Sequence, residues 1–418
     1  MSIAATDTAT AEPKAASAFD APSVPMADCC PYETPHRLLS ATPAPDDPQV
    51  MILRWSDGLE QTVHSLTLRE HCPCRSCRHH ESLERTFDQL SYPLDIAPRA
   101  VAITGRGDLR TEWPDDGHVS RFAAGWLRAG GRPEAMTPDR SKELWGRELD
   151  DKLRRFGHDE IMMDDGALLD WLETLAAVGL VYVADAPTVP GTLGRLIERV
   201  GFLRETNFGT IFDVEAMVGT VSNAYTSVEL PLHVDLPTRE YQPGYQFLHC
   251  LANDALGGGS VYGDGFQMAE RLRAEAPDAF AILSTTPAQH RYQDEGCDYA
   301  FQKPLIVLDG AGAVAEVRLN TSLITGFDAP VRETRAVYAA YRQLVALTRD
   351  PANQVEVMMR AGEIACMDNR RVLHGRRAFE PGTGRRLLQG AYLEREEVES
   401  RTRTLRRRLP ASEAATPA

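Results

Sequence analysis

"SVELPLHVDLP", residues 227–237, sets His233 and Asp235 two apart in an otherwise apolar, strand-like stretch. An imidazole and a carboxylate are costly in such surroundings unless each finds a partner. Two readings follow. Either the pair is hydrogen-bonded and fastens a core, or the two side chains are ligands of one metal ion. The rest of the chain decides between them.

The 418 residues are more than one average domain needs, which points to two domains and a tail. Apolar residues at 43% and charged residues at 25% are ordinary for a globular protein. A net charge of −15 argues against nucleic acid or an anionic membrane as a partner, since both select basic surfaces. No apolar run approaches the roughly 20 residues that span a bilayer, and the start lacks the basic-then-apolar pattern of a signal peptide. Residues 1–28 are rich in Ala, Thr, Ser and Pro, so a disordered tail is expected, ending near residue 45. The eight cysteines do not fall in a disulfide-like framework, which suits a reducing cytoplasm.

After the tail, Val50–Leu53, the Asp57-Gly58 turn and a second alternating segment predict a hairpin. Short strands punctuated by Gly105, Gly107 and Pro114 follow. From about Pro138 to Val178 the chain reads as helical. Leu168, Leu169, Leu172, Leu175 and Ala176 share a face there, and Gly179 closes the helix. "GLVYVADAP" is an apolar strand, and a short helix follows Pro190-Gly191. Beyond residue 205 strands and turns dominate, with helices expected near 267–277 and 330–349. The expected organisation is a small β-rich metal-binding domain over 46–130, a helical linker over 131–170 and a larger, mostly β domain with peripheral helices over 171–418.

"CPCRSC" brings Cys72, Cys74 and Cys77 within six residues. Three thiolates so close are within reach of one ion, and Zn²⁺ held by three sulfurs and a nitrogen is a common closed, structural site. Spacing does not fix the nitrogen: His79 and His80 are adjacent but poorly aimed from the same tight loop, and His118 follows a β segment that can fold back. A redox CxxC leaves Cys72 without a role.

Downstream, His374 follows an apolar strand and an Asp-Asn turn, and Arg386 lies twelve residues later in "RRLLQGAYL". A His-x-Asp on one strand with a distant His near another forms the 2-His-1-carboxylate set that binds Fe(II) on one face and leaves positions open. Two open positions suit the chelating end of 2-oxoglutarate and a third admits O₂. The far carboxylate of the co-substrate needs a bidentate cation, which is the chemistry of arginine. Order and spacing together favour the metal reading of His233 and Asp235.

From about residue 50 to 408 the chain resembles the γ-butyrobetaine and trimethyllysine hydroxylase family of Fe(II)/2-oxoglutarate dioxygenases. The stretches that carry the resemblance include "LREHCPCRSC", "DDGHVSRFAAGWL", "NAYTSVELPLHVDLP", "PGYQFLHCL", "GGGSVYGDGF" and "DNRRVLHGRRAFEPGTGRR". It implies zinc on Cys72, Cys74, Cys77 and His118, iron on His233, Asp235 and His374, and the 2-oxoglutarate carboxylate on Arg386. The implied catalytic fold is a double-stranded β-helix, a jelly-roll sandwich, and a homodimer is expected.

Family members hold a trimethylammonium group among aromatic faces, because a quaternary nitrogen has no N–H to donate. The resemblance puts the cage on Phe208, Phe212, Tyr225 and Tyr392. Butyrobetaine hydroxylases usually carry Asn three residues before the cage tyrosine of the Ala-Tyr-Thr stretch. Here that position is Ser222, with Asn223 shifted by one, and Asn320 matches a second polar contact. The expected activity is hydroxylation of a small trimethylammonium compound, γ-butyrobetaine first. The alternatives are trimethyllysine, a trimethylammonium phosphonate or a natural-product intermediate on the same core. A zinc protein that senses 2-oxoglutarate without turnover is the rival from another class.

Overall fold

The computed structural model describes residues 26, 34–114, 117–130, 142–215, 227–380 and 382–409. The chain divides into two compact units, Met1–Arg140 and Ser141–Ala418.

In the first unit, β1 (Leu38–Pro43), β2 (Val50–Trp55) and β3 (Glu60–His64) form an antiparallel sheet in that order. Gly58, at φ +86°, makes the turn between β2 and β3, as the Asp-Gly pair predicted. The stretch expected as tail up to residue 45 therefore contains a strand, fixed by pairing with β2 and by the buried Leu38. His64 caps the short helix α1 (Ser65–Glu70) by accepting from the Leu66 amide. A second sheet holds β4 (Ala100–Ile103), β5 (Leu109–Glu112) and β6 (Val119–Phe122), and leads into α2 (Ala124–Arg128). Trp55, Trp113 and Trp126 fill the core with Met51 and Phe122.

The second unit begins with a 3-10 turn at Arg147–Asp151 and strand β7 (Arg155–Gly157), then α3 (His158–Met163) and α4 (Asp165–Val178). Continuous helix was expected here. Gly146 and Gly157 break it, and among the described residues of this stretch only α3 and α4 are α-helical. Asp164 caps α4 through the Ala167 amide, and Gly179 ends it at φ +83°. Residues 142–170, expected as a linker, are part of this unit's core through Trp145, Leu149, Leu153 and Leu168.

The strands that follow are β8 (Leu180–Ala184), β9 (Leu203–Arg204), β10 (Ile211–Glu215), β11 (Leu230–His233), β12 (Tyr245–Asn253) and β13 (Ser260–Asp264), with α5 (Thr192–Glu198) between β8 and β9. Helices α6 (Gly265–Glu275) and α7 (Pro277–Thr285) come next. An inserted group contains β14 (Pro287–Gln293), β15 (Asp298–Pro304), β16 (Ile306–Leu308), β17 (Val314–Val317) and β18 (Ile324–Phe327). After α8 (Thr334–Arg349) the chain completes the unit with β19 (Val355–Val357), β20 (Ile364–Asp368), β21 (Val372–Arg376), β22 (Arg386–Leu393) and α9 (Arg395–Arg408).

Two sheets organise these strands. The larger runs β10-β22-β12-β20-β8-β7, with β9 on β22, and the smaller runs β11-β21-β13-β19. They face one another across a core of Tyr182, Cys250, Met367 and Leu388 from one sheet with Tyr262, Val355 and Val372 from the other. The outer face of the larger sheet is covered by α4, α5 and α9, and the smaller sheet by α6, α7 and α8. Alternation along β12 divides the labour: Tyr245 and Phe247 face the helices, while Gln246, Leu248 and Cys250 face the other sheet. This arrangement, mostly β with peripheral helices, places the open end of the sandwich around His233 and His374.

Candidate active site and metal centres

Register brings the two histidines together. His233 on β11 is the direct cross-strand partner of His374 on β21, and their ring centroids are 4.5 Å apart. Asp235 lies just past β11, before a left-handed Leu236 at φ +54°. That strained turn is held by Asn369, whose Oδ1 accepts from the Asp235 amide at 2.8 Å and whose Nδ2 donates to the Asp235 carbonyl at 3.0 Å. Asp235 Oδ1 then lies 3.4 Å from His233 Nε2 and 3.7 Å from His374 Nε2.

The donor chemistry fits Fe(II). Nδ1 of His233 lies 2.8 Å from the Pro231 carbonyl, so that nitrogen carries the proton and Nε2 offers its lone pair inward. Burial lowers the pKa of His374 to about 4, which favours the neutral imidazole that can ligate. Burial alone would raise the pKa of Asp235, but the groups that face its carboxylate, the two histidines and the Tyr392 hydroxyl, outweigh it and lower the pKa. One oxygen and two nitrogens from three side chains, with no thiolate, is a set that takes iron and leaves positions open.

A cavity of about 310 Å³ opens on these three residues. At one end Arg386 is buried, and its Nε has no partner among the described residues. Gly258, at φ +77°, lets the backbone approach that guanidinium; a Cβ there would meet Arg386 Nε at 3.2 Å. A buried cation at the end of a pocket flanked by Leu248 and Leu388 suits the far carboxylate of a dicarboxylic acid. Arg385 is no competitor, because it pairs with Glu215 at 3.0 Å on the exposed side.

Phe208, Phe212 and Tyr392 line the same cavity as a run of aromatic faces. Phe208 and Phe212 have centroids 5.8 Å apart, and Phe212 stacks on Tyr392 at 5.4 Å and 29°. Gly390 makes room for this, since a Cβ there would meet the Phe212 ring at 2.4 Å. Asn320 also lines the cavity, donating to the Val234 carbonyl at 3.2 Å. Ser222 and Tyr225 lie outside the described residues.

In the first unit, His118 Nε2 lies 3.3 Å from Cys72 Sγ and 3.5 Å from both Cys74 Sγ and Cys77 Sγ. Tetrahedral Zn²⁺, with Zn–S near 2.3 Å and Zn–N near 2.0 Å, gives a sulfur–nitrogen edge of about 3.5 Å. His118 is thus the nitrogen that the strand β6 return brings to the cysteines, while His79 and His80 stay outside the cluster.

Comparison with known proteins agrees with this geometry. Residues 139–392 match the taurine catabolism dioxygenase TauD, TfdA family, and residues 44–128 match the γ-butyrobetaine hydroxylase-like N-terminal family. A γ-butyrobetaine dioxygenase of Pseudomonas sp. (strain AK-1) is 43% identical over 84% of this chain and 93% of its own. The chain belongs to the γ-butyrobetaine and trimethyllysine dioxygenase family. The human γ-butyrobetaine dioxygenase is 33% identical over 87% of this chain and 96% of its own. The mitochondrial trimethyllysine dioxygenase of Gallus gallus is 30% identical over 84% and 85%. The protein is an Fe(II)- and 2-oxoglutarate-dependent dioxygenase that acts with O₂ on a small molecule, and its Cys₃His cluster fits zinc. Among the described residues of the dioxygenase, no helix is long and apolar enough to cross a membrane.

Sequence reasoning missed several residues of the site. Gln246 is a polar residue facing inward from an apolar strand, a signal that was readable in "GYQFLHCL". Asn369 sits in the Asp-Asn turn already noted as preceding His374. Tyr292 lines the cavity 6.2 Å from Phe208, and it comes from the inserted β14, which no motif announces.

Proposed function

We propose that this dioxygenase hydroxylates a small trimethylammonium acid, γ-butyrobetaine first, giving carnitine. The observation that carries the reading is the run Phe208–Phe212–Tyr392 on the wall of the cavity that also holds the three ligands and Arg386. Relatives named γ-butyrobetaine dioxygenase support it. His233, Asp235 and His374 hold iron, and Cys72, Cys74, Cys77 and His118 hold a structural zinc. Bound Fe(II) with 2-oxoglutarate and O₂ supplies the chemistry that puts one oxygen atom into a C–H bond, the other leaving in succinate with CO₂. The chain's own residues orient the reactants. Arg386 fixes the co-substrate's far carboxylate, and Phe208, Phe212, Tyr225 and Tyr392 fix the cation. Ser222 and Asn320 attend the acidic end. The facing sheets of the second unit read as a double-stranded β-helix, the residues before it as a zinc module over 46–130. Free, buried Cys250 and Cys366 suit a cytoplasmic protein, and a homodimer completes the reading.

The test is selectivity for charge. A neutral tert-butyl analogue of γ-butyrobetaine keeps the shape and loses the cation, and should bind more weakly by about 1–4 kcal/mol, summed over two or more faces. Phe212→Leu should weaken the charged ligand by roughly 1 kcal/mol and the neutral analogue much less. Equal losses for both ligands would reduce the aromatics to plain packing.

A further inference from the structure

The two oxygens of Asp235 are treated differently. Oδ1 faces the two imidazoles, at 3.4 and 3.7 Å. Oδ2 accepts a hydrogen bond from Gln246 Nε2 at 2.6 Å and another from the Tyr392 hydroxyl at 2.8 Å. These donors are direct cross-strand partners, Gln246 on β12 and Tyr392 on β22. One rung of the larger sheet therefore delivers both to a carboxylate carried by the smaller sheet. The amide of Gln246 must present its nitrogen there, since its oxygen would meet the carboxylate repulsively, and Gln246 Oε1 is left buried without a described partner. That cost is accepted at one atom while Oδ2 is satisfied at another.

A carboxylate oxygen has about two lone-pair directions, and both on Oδ2 are occupied. We infer that Gln246 and Tyr392 are positioning residues that hold Asp235 as a one-oxygen ligand, with Oδ1 toward the metal and Oδ2 withheld. A chelating carboxylate would take a further coordination position, and the clamp keeps that position open for the co-substrate or O₂. Tyr392 thereby has two separable parts: its ring stacks on Phe212, and its hydroxyl fixes a ligand. The inference rests on reading His233, Asp235 and His374 as the metal triad.

Titrating the full-length, zinc-loaded protein with Co(II) by calorimetry and visible absorption separates the possibilities. Wild type should take up Co(II) at a site that His233→Ala abolishes. Tyr392→Phe keeps the ring and removes the donor. Its Co(II) dissociation constant should rise about ten-fold, with an altered visible spectrum as Oδ2 is freed, while tetramethylammonium binding is retained. Gln246→Leu should do the same from the neighbouring strand, which guards against a local folding defect in either variant. Unchanged Co(II) affinity and spectrum in both variants would overturn the clamp and leave the triad standing. Equal Co(II) binding by wild type and His233→Ala would instead overturn the triad, and the clamp with it.

Discussion

At the residue scale the site depends on groups whose chemistry was visible in the chain and whose meeting was not. Their types and order suggested a metal, but the cross-strand partnership of His233 and His374 depends on strands some 140 residues apart, with an irregular register between Leu230 and His233. Asp235→Ala and His233→Ala should each abolish turnover while leaving the melting temperature near wild type, because both side chains face the cavity rather than a core. A collapse in melting temperature would recast them as core fasteners. Arg386→Lys keeps the charge but loses the paired contact, so the KM for 2-oxoglutarate should rise at least ten-fold with substrate KM little changed. An unchanged co-substrate KM would remove Arg386 from that role.

At the scale of elements, β22 does the most. It carries Arg386 at its start, Gly390 beneath Phe212, and Tyr392 against Asp235. Gly390→Ala would push a methyl group into the Phe212 ring, so substrate KM should rise several-fold while 2-oxoglutarate KM stays. Equal effects on both would mean the whole strand had shifted. Strand patterning and the Gly179 stop of α4 were legible because burial imposes a period there. Helices α7 and α9 were not. Pro277 reads as a breaker, although a first-turn proline suits a helix. Helix α9 buries only Val398 and Leu405, two turns apart on an otherwise charged segment, so no apolar stripe marks it. The 3-10 turn and β7 within the expected linker were hidden for the opposite reason: apolar residues such as Leu149 and Leu153 mimic a helical face while glycines break the run.

At the scale of the whole molecule, the two metals should separate in behaviour. Mild chelation should leave about one zinc per chain while removing activity, which Fe(II) alone restores, since a closed Cys₃His site exchanges less readily than an open triad. Cys74→Ser should lose the zinc and destabilise the first unit; a variant as stable as wild type would count against a structural zinc. Acid should weaken the second unit through His249 and His290. Both are buried, and burial lowers their pKa from 6.5 to about 4. The unfolded chain takes up these protons first, so the stability they contribute is whole above pH 6.5 and is lost as pH falls toward 4. At pH 5 the loss should reach about 2 kcal/mol for each, readable as a lower urea midpoint than at pH 7. An unchanged midpoint would show that the folded state already solvates them.

In the proposed reaction one cavity couples 2-oxoglutarate turnover to oxidation of a quaternary amine. The measurement is simultaneous quantification of succinate and product by mass spectrometry, with purified protein, Fe(II), 2-oxoglutarate, O₂ and γ-butyrobetaine. γ-Butyrobetaine should stimulate succinate release and gain one oxygen atom in equal amount, and neither should occur in Asp235→Ala. Succinate release that no quaternary amine stimulates, or that yields no oxygenated product, would contradict it.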